Sequence, residues 1–309
     1  MDKREKQLYN VSFVAIVGNA FLAISKIAVG IISGSFAVIG DGIDSATDIA
    51  TSFITLITAR IIAKPPDIKY PYGYKKADSI AAKLLSFIIF FAGTQLAIST
   101  FRRFFENSST EVPSILAIYI TLVSIFGKLG LSIYLQRAGK TLKSNMIIAN
   151  AKNMQNDILT SSSVLAGLVF THILQMPIID LITAFAISIW IMKSGYEIFM
   201  HSSSELMDGN ENPALYKEVF DIVEGISGVN NPHRARIRKI GNLFNITIDI
   251  EVDGKMTVEK AHELAHSVEQ ILHNKMNNIH DVIVHVEPIG EKDLHTHERF
   301  GVSKSDFET

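Results

Sequence analysis

Phe36-Ala37-Val38-Ile39-Gly40-Asp41-Gly42-Ile43-Asp44-Ser45-Ala46-Thr47-Asp48 opens an apolar run that continues to residue 63. A helix needs ~20 mostly apolar residues to cross ~30 Å of hydrocarbon, and this run is long enough. Three acids nevertheless stand inside it. At ~100° per residue, Asp41, Asp44 and Asp48 fall on one helical face. A charged side chain at bilayer depth costs several kcal/mol and is retained where it lines an ion or proton path. Two plainer readings compete. Asp41 could be a helix-end residue near water, and polar residues can also join helices as structural glue. Glue favours Asn and Ser, and leaves three acids unexplained.

Five further runs are long and apolar enough to span: residues 8–32, 80–101, 115–135, 146–174 and 178–196. The fifth of the six spans contains Asn153-Met154-Gln155-Asn156-Asp157, which repeats the i, i+4 arrangement of Asp44 and Asp48. Two facing pairs would converge four oxygen ligands, and a dication would offset their mutual repulsion. Lys26 and Lys128 also lie inside spans; each is costly unless paired or snorkelling, and the sequence names no partner.

Basic residues orient the chain. Lys3, Arg4 and Lys6 precede the first span, Lys64, Lys69, Lys75 and Lys76 follow the second, and Arg137, Lys140 and Lys143 follow the fourth. The opposite loops are poorer in positive charge, although Arg102 and Arg103 run against the trend before Glu106 and Glu111. The expectation is a multi-pass protein of the cell (inner) membrane with both termini in the cytoplasm.

Composition agrees. Of 309 residues, 48% are hydrophobic, which favours a membrane class. A net charge of −2 gives no electrostatic case for a nucleic-acid partner. The absence of cysteine excludes disulfides, thiolate zinc sites, iron–sulfur clusters and a thiolate nucleophile. No cleavable signal is apparent, so the first apolar run reads as a retained span.

The character changes after Ser204. Residues 216–223 read as an amphipathic helix, 234–239 and 244–252 alternate as strands joined at Gly241-Asn242, 258–276 carry an apolar stripe at helical spacing, and 281–287 alternate again. The order α-β-β-α-β suits a small sheet with helices on one face. The expected organisation is a six-transmembrane-helix bundle over residues 1–204, an α/β domain over 205–291 and a disordered tail over 292–309.

These residues resemble the cation diffusion facilitator family. The resemblance runs from about Ser12 to Pro288. It rests on Ser33-Gly34-Ser35, Asp41, Asp44-Ser45-Ala46-Thr47-Asp48, Lys64-Pro65-Pro66-Asp67, Pro71-Tyr72-Gly73-Tyr74-Lys75-Lys76-Ala77, Asn150-Ala151, Asn153 and Asp157. Leu206-Met207-Asp208, Gly228-Val229 and the closing strand from Asp281 to Pro288 complete it. The resemblance implies a homodimeric exporter of divalent cations driven by proton antiport, with six spans in the lipid bilayer and a metallochaperone-like cytoplasmic domain.

It also implies site residues. The transport metal site falls on Asp44, Asp48, Asn153 and Asp157, with Asp41 a candidate relay. Zinc-selecting members usually carry histidine at the position of Asn153 and often at that of Asp44. An all-oxygen set suits a hard cation, so Mn²⁺ is the favoured cargo, with Zn²⁺, Fe²⁺ and Co²⁺ as alternatives. In the loop after the second span, Asp67 matches a further family site, but Tyr70 and Tyr74 stand where it has histidines; that site is expected to be absent or weak. Lys76 and Asp208 match a charge interlock between the third span and the cytoplasmic domain. His233, Asp249, His262, His285 and Glu287 match cytoplasmic metal-binding positions, so a regulatory divalent metal is implied there; no prosthetic group is.

Two rival functions have support in the residues. His262-Glu263-Leu264-Ala265-His266 fits the HExxH signature of zinc proteases, although Leu264 and Ala265 belong to the apolar stripe of a small domain. A passive channel is the other rival; ionisable groups buried at mid-membrane favour an alternating carrier instead. His295 and His297 in the tail read as incidental.

Overall fold

The computed structural model describes residues 3–105, 111–142, 144–210, 212–240, 243–290 and 301–307. Gly241-Asn242, Glu106, Lys143, His295 and His297 lie outside them. The chain forms two compact units, Met1–Arg60 with Ala81–Met200, and Ile61–Ile80 with His201–Thr309.

The first unit is built from six long helices: α1 (Lys3–Ser33), α2 (Phe36–Ile62), α3 (Ala77–Phe105), α4 (Leu116–Thr141), α5 (Asn145–Leu174) and α6 (Ile178–Leu206). All six are long and apolar enough to cross a membrane. Large apolar side chains such as Phe21, Phe91, Phe126 and Ile173 stand exposed around them, a surface that belongs against lipid rather than water. The small interior residues Ala37, Ala117 and Ala184 are fully buried, with Leu85, Ile89, Val164, Leu168 and Ile191 around them. The turn between α1 and α2 is fixed from α6. Ser35 Oγ donates to Asp180 Oδ1 at 2.6 Å and the Phe36 amide donates to Oδ2 at 2.9 Å, so Asp180 caps a helix it does not belong to.

The second unit holds α7 (Ala214–Glu224), β1 (Asn230–Ile240), β2 (Leu243–Val252), α8 (Val258–Lys275) and β3 (Ile279–Pro288). This is the α-β-β-α-β order the sequence predicts. The sheet order is β1-β2-β3, antiparallel between β1 and β2 and parallel between β2 and β3. Ile246, Ile248 and Ile250 of β2 pack with Val219, Phe220 and Val223 of α7 and Val268 and Leu272 of α8. Because side chains alternate along a strand, Asp249 points to the face that the helices leave open.

Residues 61–80, which follow the second span in sequence, make their contacts with the second unit. Within that unit Lys76 Nζ lies 2.6 Å from Asp208 Oδ1, Ser79 Oγ donates to Glu205 Oε2 at 2.9 Å, and the Arg238 guanidinium sits 5.1 Å above the Tyr72 ring. Of the tail, residues 301–307 are described and the rest lies outside the described residues. Val302 exchanges two backbone hydrogen bonds with Ala235, at 2.8 and 2.9 Å. Lys304 pairs with Glu224 at 2.8 Å. The reason is the exposed edge of β1, whose backbone groups need partners that a polar composition does not reveal.

Candidate functional site: a charged cluster inside the bundle

Gly42 brings α1 and α2 together. A Cβ there would stand 2.6 Å from Ile27 Cγ1 and 3.0 Å from the Ile27 amide nitrogen, so only glycine admits this approach. The neighbouring Lys26 is thereby set opposite Asp41, with Nζ 2.8 Å from Oδ2. Lys26 Nζ also donates to Ser161 Oγ at 2.9 Å and Ser45 Oγ at 3.3 Å, and Ser161 Oγ donates to Asp41 Oδ1 at 2.9 Å. Both charged side chains are essentially inaccessible, at 0% and 1% exposure.

One turn along α2, a second tier forms. Lys128 of α4 places Nζ 3.0 Å from Asp157 Oδ2 of α5 and donates to Ser45 Oγ at 3.0 Å. Ser45 thus accepts from both lysines and joins the tiers. Asp44 and Asp48 lie on the same stretch of α2 as Ser45, close enough to Asp157 to feel its charge. Asp157 keeps 16% exposure while Lys128 has none. Asn153 stands one turn before Asp157 on α5, exposed. The antiparallel course of α2 and α5 accounts for the order: Asp41 meets Ser161, and Asp48 lies near Asp157.

The structure therefore brings Asp44, Asp48 and Asp157 to one place and gives Asp41 a fixed partner. Sequence reasoning singled out Lys26 and Lys128 without partners, and it missed Ser45 and Ser161, which tie them into the cluster. The lysines carried a signal, being charged inside apolar runs. Their partners did not, since pairing depends on which helices adjoin.

In the loop of the second unit, Asp67 accepts from the Tyr74 hydroxyl at 2.5 Å and from the amides of Tyr70 and Lys69 at 2.8 and 2.9 Å. The Tyr74 hydrogen bond foremost holds the Asp67 carboxyl below the usual carboxylate range and pushes the Tyr74 phenol up.

On the open face of the sheet, His233, Asp249 and Glu287 each bring one ligand atom within 4.8 Å of the others, a spacing suited to a metal ion. The approach depends on an irregular β1. Register shifts flank His233, and Asn231 and Arg234 adopt left-handed backbone at φ 40° and 49°, which turns two consecutive side chains toward one spot. Nδ1 of His233 lies 2.8 Å from the Asn231 carbonyl oxygen, to which it donates, and Nε2 is the nitrogen turned to the cluster, 3.4 Å from Glu287 Oε2. Arg234 places a guanidinium nitrogen 3.1 Å from Asp249 and 3.8 Å from Glu287, and His285 approaches Glu287 at 3.4 Å.

Within one chain His262 lies apart from this cluster. It sits exposed on α8, which packs on the opposite face of the sheet, and its ring stacks on His266 with centroids 6.5 Å apart. In the same HExxH run, Ala265 is buried and Leu264 packs against the domain core.

Six apolar helices around a buried charged cluster, followed by a small α/β domain, define a multi-pass membrane transporter. The chain belongs to the cation efflux, or cation diffusion facilitator, family: residues 12–207 match the cation efflux transmembrane domain and residues 212–289 the cytoplasmic domain of cation efflux proteins. Members of this family are transporters, not enzymes, which removes the protease reading. An uncharacterized transporter of Bacillus subtilis, YdbO, is 33% identical over 88% of this chain and 93% of its own length. The manganese efflux system protein MneS of the same organism is 30% identical, covering 91% of this chain and 96% of that one. Among solved structures, the metal-bound C-terminal domain of the CzcD transporter from Thermotoga maritima is 44% identical over 25% of this chain and 90% of that chain, with a TM-score of 0.24.

Proposed function

We propose that the chain is a homodimeric, proton-coupled exporter of Mn²⁺ in the cell membrane, with both termini cytoplasmic. The observation that carries the reading is that Lys128 joins Ser45 of α2 to Asp157 of α5 inside the bundle, which sets Asp44 and Asp48 on the α2 segment beside Asp157. These carboxylates and the Asn153 amide offer oxygen donors only, which suits a hard dication better than imidazole does. The similarity to a protein named for manganese efflux supports the same cargo. Cytoplasmic Mn²⁺ binds the ionised aspartates, the helices rock outward, and protons replace the metal so that the site returns neutral. Asn153 exchanges no proton near neutral pH, so coupling rests on the carboxylates.

In the cytoplasmic domain, His233, Asp249 and Glu287 would hold a regulatory dication. The buried Asp249 and the oriented His233 fit such a guest. Lys76 and Asp208 serve as the interlock that keeps the inner end of α3 joined to this domain.

Proteoliposomes with an internal pH dye test the transport reading. Mn²⁺ entry should drive proton movement in the opposite direction, and Asp48→Ala or Asp157→Ala should reduce the flux to that of empty liposomes. Undiminished flux in both variants, or metal entry with no pH response, would overturn it.

A further inference from the structure

Lys26 and Lys128 are both fully buried, yet their surroundings differ in kind. Lys26 has three oxygen partners, Asp41, Ser45 and Ser161, none of which is a proposed cargo ligand. Its ammonium is satisfied and fixed. Lys128 has two, Ser45 and Asp157, and one of these is a proposed ligand. A dication that takes Asp157 must contend with the ammonium already there.

The tier geometry makes displacement feasible. On losing Asp157, Lys128 keeps its hydrogen bond to Ser45, so the ammonium is not left without a partner in a low-dielectric interior.

We propose that Lys128 is a tethered cation that occupies Asp157 while the site is empty and yields it to the arriving metal, limiting affinity and speeding cargo release. This rests on the transport-site reading above. Lys128 is a positioning residue: it acts through Asp157 and need not touch the metal. Two unit charges ~3 Å apart interact by several kcal/mol even at an effective dielectric of ~20, so a competing ammonium is expected to weaken metal binding measurably.

The test uses full-length protein in detergent for Mn²⁺ binding and in proteoliposomes for transport. Lys128→Gln should bind Mn²⁺ at least about tenfold more tightly than wild type, a change of ~1.4 kcal/mol, while maximal turnover falls by a similar factor. Lys128→Met preserves the length of the stem without charge and should do the same. A purely structural lysine predicts the reverse, weaker binding together with lower turnover. A monodisperse Lys128→Gln protein with unchanged or weaker affinity overturns the proposal. Should neither variant remain monodisperse, infrared difference spectra of ¹⁵N-lysine wild-type protein decide: Mn²⁺ must shift a lysine ammonium band, and an unchanged ammonium region overturns the idea. Failure of the underlying site looks different, because Asp157→Ala would then bind Mn²⁺ as wild type does.

Discussion

At the scale of single residues, the proposed cargo rests on the donor atom. Asn153 offers an amide oxygen one turn before Asp157, where an imidazole would offer a softer nitrogen. Asn153→His is therefore expected to move selectivity toward Zn²⁺, by about tenfold or more in the ratio of Zn²⁺ to Mn²⁺ flux, since such a ratio needs only ~1.4 kcal/mol of differential binding. Metal-by-metal competition in proteoliposomes measures this; an unchanged ratio would place Asn153 outside the coordination shell. The same reasoning applies to Asp67, whose carboxylate is already engaged by Tyr74 and two amides.

Between elements, the decisive feature is the approach of α1 to α2. Gly42 permits it, and the pairing of Lys26 with Asp41 follows. Gly42→Val forces a side chain into Ile27 and its backbone, a clash expected to cost about 1–3 kcal/mol where packing can partly adjust. It also parts Lys26 from Asp41, and breaking a buried pair carries its own penalty of ~3–5 kcal/mol. A clear drop in the detergent melting temperature and loss of transport are the expected outcome, while Gly34→Ala, where a Cβ meets nothing within 4 Å, serves as a control for packing although its φ of +72° adds backbone strain. Equal melting temperatures for wild type and Gly42→Val would mean that the helices meet elsewhere. The strap at residues 301–307 shows the same principle in the second unit, since Gly301 at φ +90° lets it lie against the Arg234 carbonyl.

For the molecule as a whole, the proposed metal site of the second unit would link metal level to stability. A ligand that binds only the folded state at a hundred times its dissociation constant contributes ~2.7 kcal/mol. Mn²⁺ should accordingly raise the melting temperature of an Asp157→Ala protein, which lacks the proposed membrane site. Adding Glu287→Gln should abolish most of that rise by removing one of three clustered ligands. A rise that survives both substitutions would assign the metal to another location.

Hydrophobic run length set the six helices, because the thickness of hydrocarbon leaves a span few alternatives. Helical periodicity likewise put Asp41, Asp44 and Asp48 on one face, and strand alternation put His285 and Glu287 together. What could not be read was adjacency. Lys26 chose Asp41 and Lys128 chose Asp157 because particular helices pack side by side. Within one chain His262 stands apart because α8 covers the other face of the sheet, and residues 301–307 pair with a strand edge. Local periodicity is a property of neighbouring residues and is written in their order. Which charge meets which between helices is settled only when backbones approach, as they do where Gly42 lacks a side chain.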